Sequence, residues 1–249
     1  MQWERVKKNA NKVALLATIY IVLHTVLFLI YEFITLKLEL SVSNFPNDFL
    51  FSIVDISKEI ILCGILGALQ AIIFSRLGVI LDSSVWRCRD DREALRRFFL
   101  LWFGINVALI TLNRVSTIFA DKGYSDLVYL IEGLSLFANI VYLPLTACWM
   151  YSGEKLTEDD SFFRVFRPIT RQFSETVRMW VIIIISILIS IFILELPIFE
   201  EPSVLTAILK TLIIIPLAGI DILVFCWTWL LCIQGRIQGL DDDYSLDDF

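Results

Sequence analysis

Residues 204–233 run VLTAILKTLIIIPLAGIDILVFCWTWLLCI, thirty positions at which Lys210 and Asp221 are the only charged side chains. As an α-helix rising 1.5 Å per residue the stretch is about 45 Å long, more than the roughly 30 Å hydrocarbon core of a bilayer. Hydrocarbon offers no partner for an unpaired amide, so a segment this apolar is read as a membrane-crossing helix. Just upstream, Glu200-Glu201-Pro202-Ser203 separates it from a second apolar run, 179–199, and so short a link makes the two helices antiparallel neighbours. Four further runs follow the same logic: 13–36, 56–81, 98–120 and 127–151, the last two joined by the short turn from Asp121 to Asp126. The expected fold is an all-α polytopic membrane helix bundle of six transmembrane helices. It forms one domain over 1–239, followed by an acidic tail, 240–249.

Composition agrees. Of 249 residues 57% are apolar and 19% charged, with a mean hydropathy of +0.75, outside the range of water-soluble domains. The net charge of −6 belongs largely to the tail, where Asp241, Asp242, Asp243, Asp247 and Asp248 cluster. Arginines fall at span boundaries and not along one polar face, so nucleic acid is excluded as a partner. The first apolar run is longer than a signal-peptide core and has no small-residue cleavage site after it, so it is expected to stay as an anchor. The cysteines form no C-x-x-C pair and are expected to be reduced packing residues.

Lys and Arg set the expected orientation, because they are retained on the cytoplasmic side. Sixteen of the twenty-one lie in the N-terminal segment, the 82–97 and 152–178 loops with their flanks, and the C-terminal segment, which makes both termini cytoplasmic in a cell (inner or plasma) membrane. Tryptophans favour the headgroup level, and Trp3, Trp86, Trp102, Trp149, Trp180, Trp227 and Trp229 all fall near the same predicted inner boundary. In the 152–178 loop, Phe162, Phe163, Phe166, Ile169, Phe173 and Val177 recur at helical spacing, with Arg164, Arg167 and Arg171 on another stripe. This pattern predicts an amphipathic cytoplasmic helix, divided at Pro168, lying in the interface or packed under the bundle. With Arg87, Arg89, Arg92, Arg96 and Arg97 of the other inner loop, these arginines are the candidate contacts for anionic lipid.

Charged side chains inside a bilayer cost several kcal/mol unless paired or hydrated, so each is a candidate site. Arg114 and Glu132 stand at equal heights on the two helices joined by the 121–126 turn and are expected to pair. Glu32, Asp55, Lys58, Glu59, Glu195 and Lys210 share the outer third, as a charged vestibule or as interfacial residues. Asp221 lies mid-span, shortly after Pro216 and Gly219, with Gln70 as its expected partner at similar depth. Gly64 and Ala68 form a small-x-x-x-small pair suited to close helix approach. Gly219-Ile220-Asp221 is similar to half of the Gly-x-Gly-Asp element of intramembrane aspartyl proteases, but the second glycine and a second catalytic aspartate are missing.

One histidine, His24, rules out catalytic centres that need two, and no G-x-S-x-G elbow, Walker A loop or Rossmann glycine run occurs. No catalytic residue, cofactor or metal is therefore expected. The first expectation is a non-catalytic accessory protein or subunit of a membrane complex, with a protein partner or further copies of itself and the tail, disordered by composition, as a docking strand. The alternative is a permease or channel component. Six spans, both ends inside, a basic N-terminal segment and a helical inner loop are similar to the layout of small permease subunits of exporters driven by a separate ATPase. Ten glycines and six prolines are few for a transporter built on broken helices.

Overall fold

A computed structural model describes residues 3–41, 48–82, 90–153, 166–194, 196–199 and 203–244. Among these there is no strand. The elements are α1 (Trp3–Lys8), α2 (Ala10–Leu40), α3 (Asp48–Leu81), α4 (Asp91–Asp121), α5 (Ser125–Gly153), α6 (Arg167–Arg171), α7 (Phe173–Leu194), a 3-10 turn (Pro197–Phe199) and α8 (Val204–Tyr244). Six of them, α2, α3, α4, α5, α7 and α8, are long and apolar enough to cross a membrane, and the chain is a multi-pass membrane protein.

Several boundaries shift from those in the sequence. Helix α3 starts at Asp48, so Asp55, Lys58 and Glu59 lie within a continuous helix and not at its first turn. Phe173 and Val177 belong to α7 and not to a loop helix, and α7 ends at Leu194, shortly before Pro197. Proline disfavours the helical conformation in the residue before it, which favours a stop here. Pro168 sits in the first turn of the short α6, where a missing N–H costs nothing. Helix α8 continues through Asp241, Asp242 and Asp243 to Tyr244, beyond the point where a disordered tail was expected to begin. Arg87, Arg89, Arg164 and Glu195 lie outside the described residues, as do residues 245–249.

Helices α2, α3, α4, α5 and α8 form a ring in which each touches the next and α8 returns to α2. Helix α7 stands outside it, mainly against α8. At one end, Gly123 adopts φ +76° after α4, and the amides of Gly123 and Tyr124 close on the carbonyls of Ala120 (2.9 Å) and Phe119 (3.0 Å). A side chain here would be strained, so glycine sets the tight hairpin into α5. At the other end, Arg5 Nη1 and Asn9 Nδ2 donate to the carbonyls of Leu81 and Ile80, each at 3.3 Å. The basic N-terminal segment thus caps the unsatisfied carbonyls of α3 as well as carrying charge.

The tightest packing lies in the half nearer α1. Phe74 stacks on Phe225 (4.6 Å between centroids), Phe225 on Trp229 (5.2 Å), and Trp102 and Tyr20 lean on Phe74 (5.0 and 5.2 Å). Trp102 and Trp229 are fully buried in this aromatic plug and so pack against protein instead of turning their rings outward. Trp149 does face outward. Lipid tails are as apolar as leucine, so close van der Waals contact drives such packing, and glycine permits it where backbones or rings approach. A β-carbon at Gly78 would lie 2.5 Å from the Trp229 ring and one at Gly67 would lie 2.9 Å from the Phe103 amide nitrogen. Nothing lies within 4 Å of such an atom at Gly64, so the close approach occurs at Gly67 and Gly78 and not at the Gly64/Ala68 pair.

Candidate binding site in the helix ring

Above the aromatic plug, each ring helix contributes one polar side chain to a common layer. These are Tyr20 from α2, Gln70 from α3, Asn106 from α4, Tyr142 from α5 and Asp221 from α8. Asp221 lies near the middle of its span, Val204–Gly235. Its Oδ2 accepts from the Tyr20 hydroxyl at 3.1 Å and its Oδ1 from the Tyr142 hydroxyl at 3.2 Å. Asn106 Nδ2 donates to Gln70 Oε1 at 2.8 Å, and the Gln70 side chain also meets the Tyr20 hydroxyl. Gln70 is therefore linked to Asp221 through Tyr20, one step more remote than expected. Tyr20, Gln70 and Asn106 are buried, whereas Asp221 and Tyr142 are half-buried. One turn along α2 from Tyr20, the His24 ring packs edge-on at 5.3 Å.

No lysine or arginine lies against Asp221 among the described residues; both oxygens are held by neutral hydroxyls. Two hydrogen bonds offset part of the cost of taking a carboxylate out of water, and no counter-charge offsets the rest. Lys210 lies on the same stripe of α8, eleven residues or three turns away, roughly 16 Å along the axis, and has no ion-pair partner among the described residues.

A second polar layer stands about 16 Å nearer the hairpin end, the rise from Tyr20 to Tyr31 on α2. Here Arg114 of α4 grips Glu59 through Nε and Asp55 through Nη2, both on α3. Lys58 Nζ is 2.8 Å from Asp55 Oδ1, donates to Thr35 Oγ1 at 2.8 Å and sits 5.0 Å over the Tyr31 ring. Two cations and two carboxylates balance within this group, and Glu32 brings a further carboxylate near Tyr31. The expected Arg114 to Glu132 pair does not form: Glu132 is exposed, with the Ser116 hydroxyl at 3.5 Å, and α4 meets α5 at this height through Ser135 Oγ to Asn113 Oδ1 at 2.8 Å. The reason is geometric. Asp55 and Glu59, four apart on one helical face, offer the guanidinium two carboxylates at once, whereas Glu132 offers one.

Elsewhere, Cys148 and Cys232 bring their sulfurs to 3.5 Å between α5 and α8, a pairing that spacing alone does not reveal. Of the arginines expected at lipid, Arg92, Arg96 and Arg171 are exposed, Arg97 pairs with Glu93 at 2.5 Å, and the side chain of Arg167 lies outside the described residues. Tyr20, Tyr142 and Asn106 were not among the sequence candidates. Their signal was present, since a tyrosine or asparagine at mid-span needs a hydrogen-bond partner in hydrocarbon.

No protein-family model, curated protein or solved structure matches the chain.

Proposed function

We propose that the chain works in membrane transport, as a permease component, with the Asp221 layer as the point its substrate must contact. The observation that carries this is the convergence of Tyr20, Gln70, Asn106, Tyr142 and Asp221 from all five ring helices on one layer at mid-membrane. Packing alone is served by the aromatic plug below and the ion-pair cluster above. A carboxylate between them, held only by neutral donors, fits a site that takes up and gives back a charged or polar group. In this account the protein has no catalytic residue and binds no cofactor or metal, and both ends face the cytoplasm of a cell membrane. Exposed Arg92, Arg96 and Arg171 then meet anionic lipid headgroups.

A second role, as a non-catalytic accessory subunit, draws on one feature. Helix α7 packs mainly against α8 and leaves Val181, Ile185, Leu188, Ile189 and Phe192 exposed, a face suited to a partner's transmembrane helix or a second copy. Crosslinking pull-down in mild detergent, run with a growth or flux assay on wild type and Asp221→Asn, separates the two. Transport predicts a flux or growth defect in the variant at normal expression; an ATPase partner retained by both chains would place that transport in an exporter. A stoichiometric partner held equally by both, with unchanged flux, would favour the subunit role and contradict the transport one.

A further inference from the structure

Between α4 and α5, on the outer surface of the ring, runs an apolar groove of about 430 Å³, a size in the range of small-molecule sites. Ile105, Leu109 and Leu112 form one wall; Ala138, Tyr142 and Trp149 form much of the other. Thr146 also lines it, but its hydroxyl is taken by the Tyr142 carbonyl of its own helix at 2.5 Å. Tyr142 belongs to both the groove and the polar layer: it is one of the residues lining the groove, and its hydroxyl holds Asp221 at 3.2 Å. One residue is therefore common to an apolar slot and to the setting of a carboxylate that has no cationic neighbour among the described residues.

We propose that groove and carboxylate form one binding site for a lipophilic organic cation, its apolar body in the α4/α5 groove and its positive centre drawn to Asp221 past the Tyr142 ring. The class follows from charge and polarity together. A hydrophilic metal or ammonium ion gains nothing from a groove walled by leucine and isoleucine, and a neutral lipid gains nothing from the carboxylate. Tyr20 and Tyr142, which reach Asp221 through their hydroxyls, add aromatic surface of the kind that attracts quaternary or delocalised cations. Because this assigns a substrate class to the proposed transport site, it rests on that proposal.

The test is direct binding of tetraphenylphosphonium to the purified full chain in detergent, with tetramethylammonium as a small, hydrophilic competitor. Wild type is expected to bind tetraphenylphosphonium saturably, unaffected by tetramethylammonium. Asp221→Asn should weaken binding about tenfold or more, and Ala138→Phe, which fills the groove without touching the carboxylate, should weaken it comparably. Tyr142→Phe keeps the ring and changes the setting of Asp221, so it should shift affinity in a chain that still elutes as a single species. Should Asp221→Asn fail to fold, Ala138→Phe and Tyr142→Phe carry the test. Equal affinity in wild type and every folded variant would overturn the proposal, and so would the absence of saturable binding to wild type. If binding is absent while Asp221→Asn still impairs flux, the cation class falls and the transport role stands; if flux too is unaffected, both fall.

Discussion

Arg114→Gln should destabilise the bundle by about 2–4 kcal/mol, because it leaves Asp55 and Glu59 facing each other in a low-dielectric layer with Lys58 as the one remaining nearby cation. The three side chains are only partly buried, Arg114 being 33% exposed, so the loss is set below that of a fully enclosed pair. The defect belongs to the stranded carboxylates and not to the missing guanidinium. Adding Glu59→Gln to Arg114→Gln leaves the Asp55–Lys58 pair balanced and should therefore recover most of the stability, whereas Glu132→Gln alone should change it by less than about 0.5 kcal/mol. Reversible unfolding in detergent micelles measures all three against wild type. A Glu132 variant as damaging as the Arg114 one would restore the pairing that the hairpin spacing suggests and refute the one described.

The second large effect lies in the plug. Trp229→Ala removes a fully buried ring that stacks on Phe225 and meets Tyr151 edge-on at 5.2 Å, and should cost about 3–5 kcal/mol. Gly78→Ala should cost about 1–3 kcal/mol, since its new methyl would stand 2.5 Å from that ring, which cannot yield without disturbing the stack. The two are coupled: with Trp229 already truncated, Gly78→Ala has nothing to strike and should become nearly neutral. Gly64→Ala, with open space around the site, should be neutral in either background. Thermal unfolding of the single and double variants gives the coupling directly, and additive costs would show that Gly78 does not face Trp229.

Much of this architecture is legible in the sequence because hydrocarbon imposes one rule on every span. Long apolar runs must be helices, and short polar links must be turns, so the number of spans and the α4/α5 hairpin follow from composition alone. Lateral arrangement is another matter. A run such as MWVIIIISILIS in α7 is apolar on every side, and nothing in it says which face meets protein and which meets lipid. The Arg114 pairing failed for this reason: equal height along the hairpin was known, rotation about the helix axis was not. Trp102 and Trp229 misled in a related way, since a residue near a boundary can serve the interface or the core, and only the neighbouring helix decides. Asp221 and Gln70 stood out as polar outliers at mid-span, but the tyrosines joining Asp221 to the layer are common residues whose role depends on three helices meeting.

That meeting is the central claim, and the register of α5 against α8 tests it most directly. The same two helices that bring Tyr142 to Asp221 bring Cys148 and Cys232 to a sulfur separation of 3.5 Å further along. In a chain retaining only these two cysteines, a membrane-permeant oxidant should link them within intact membranes, with the joined peptides identified by mass spectrometry. A control carrying Cys148 and Leu223→Cys, on an exposed face of α8, should link far more slowly. If the control links as fast as the native pair, or the native pair fails where the control succeeds, α5 and α8 do not face each other as described and the Asp221 layer does not form.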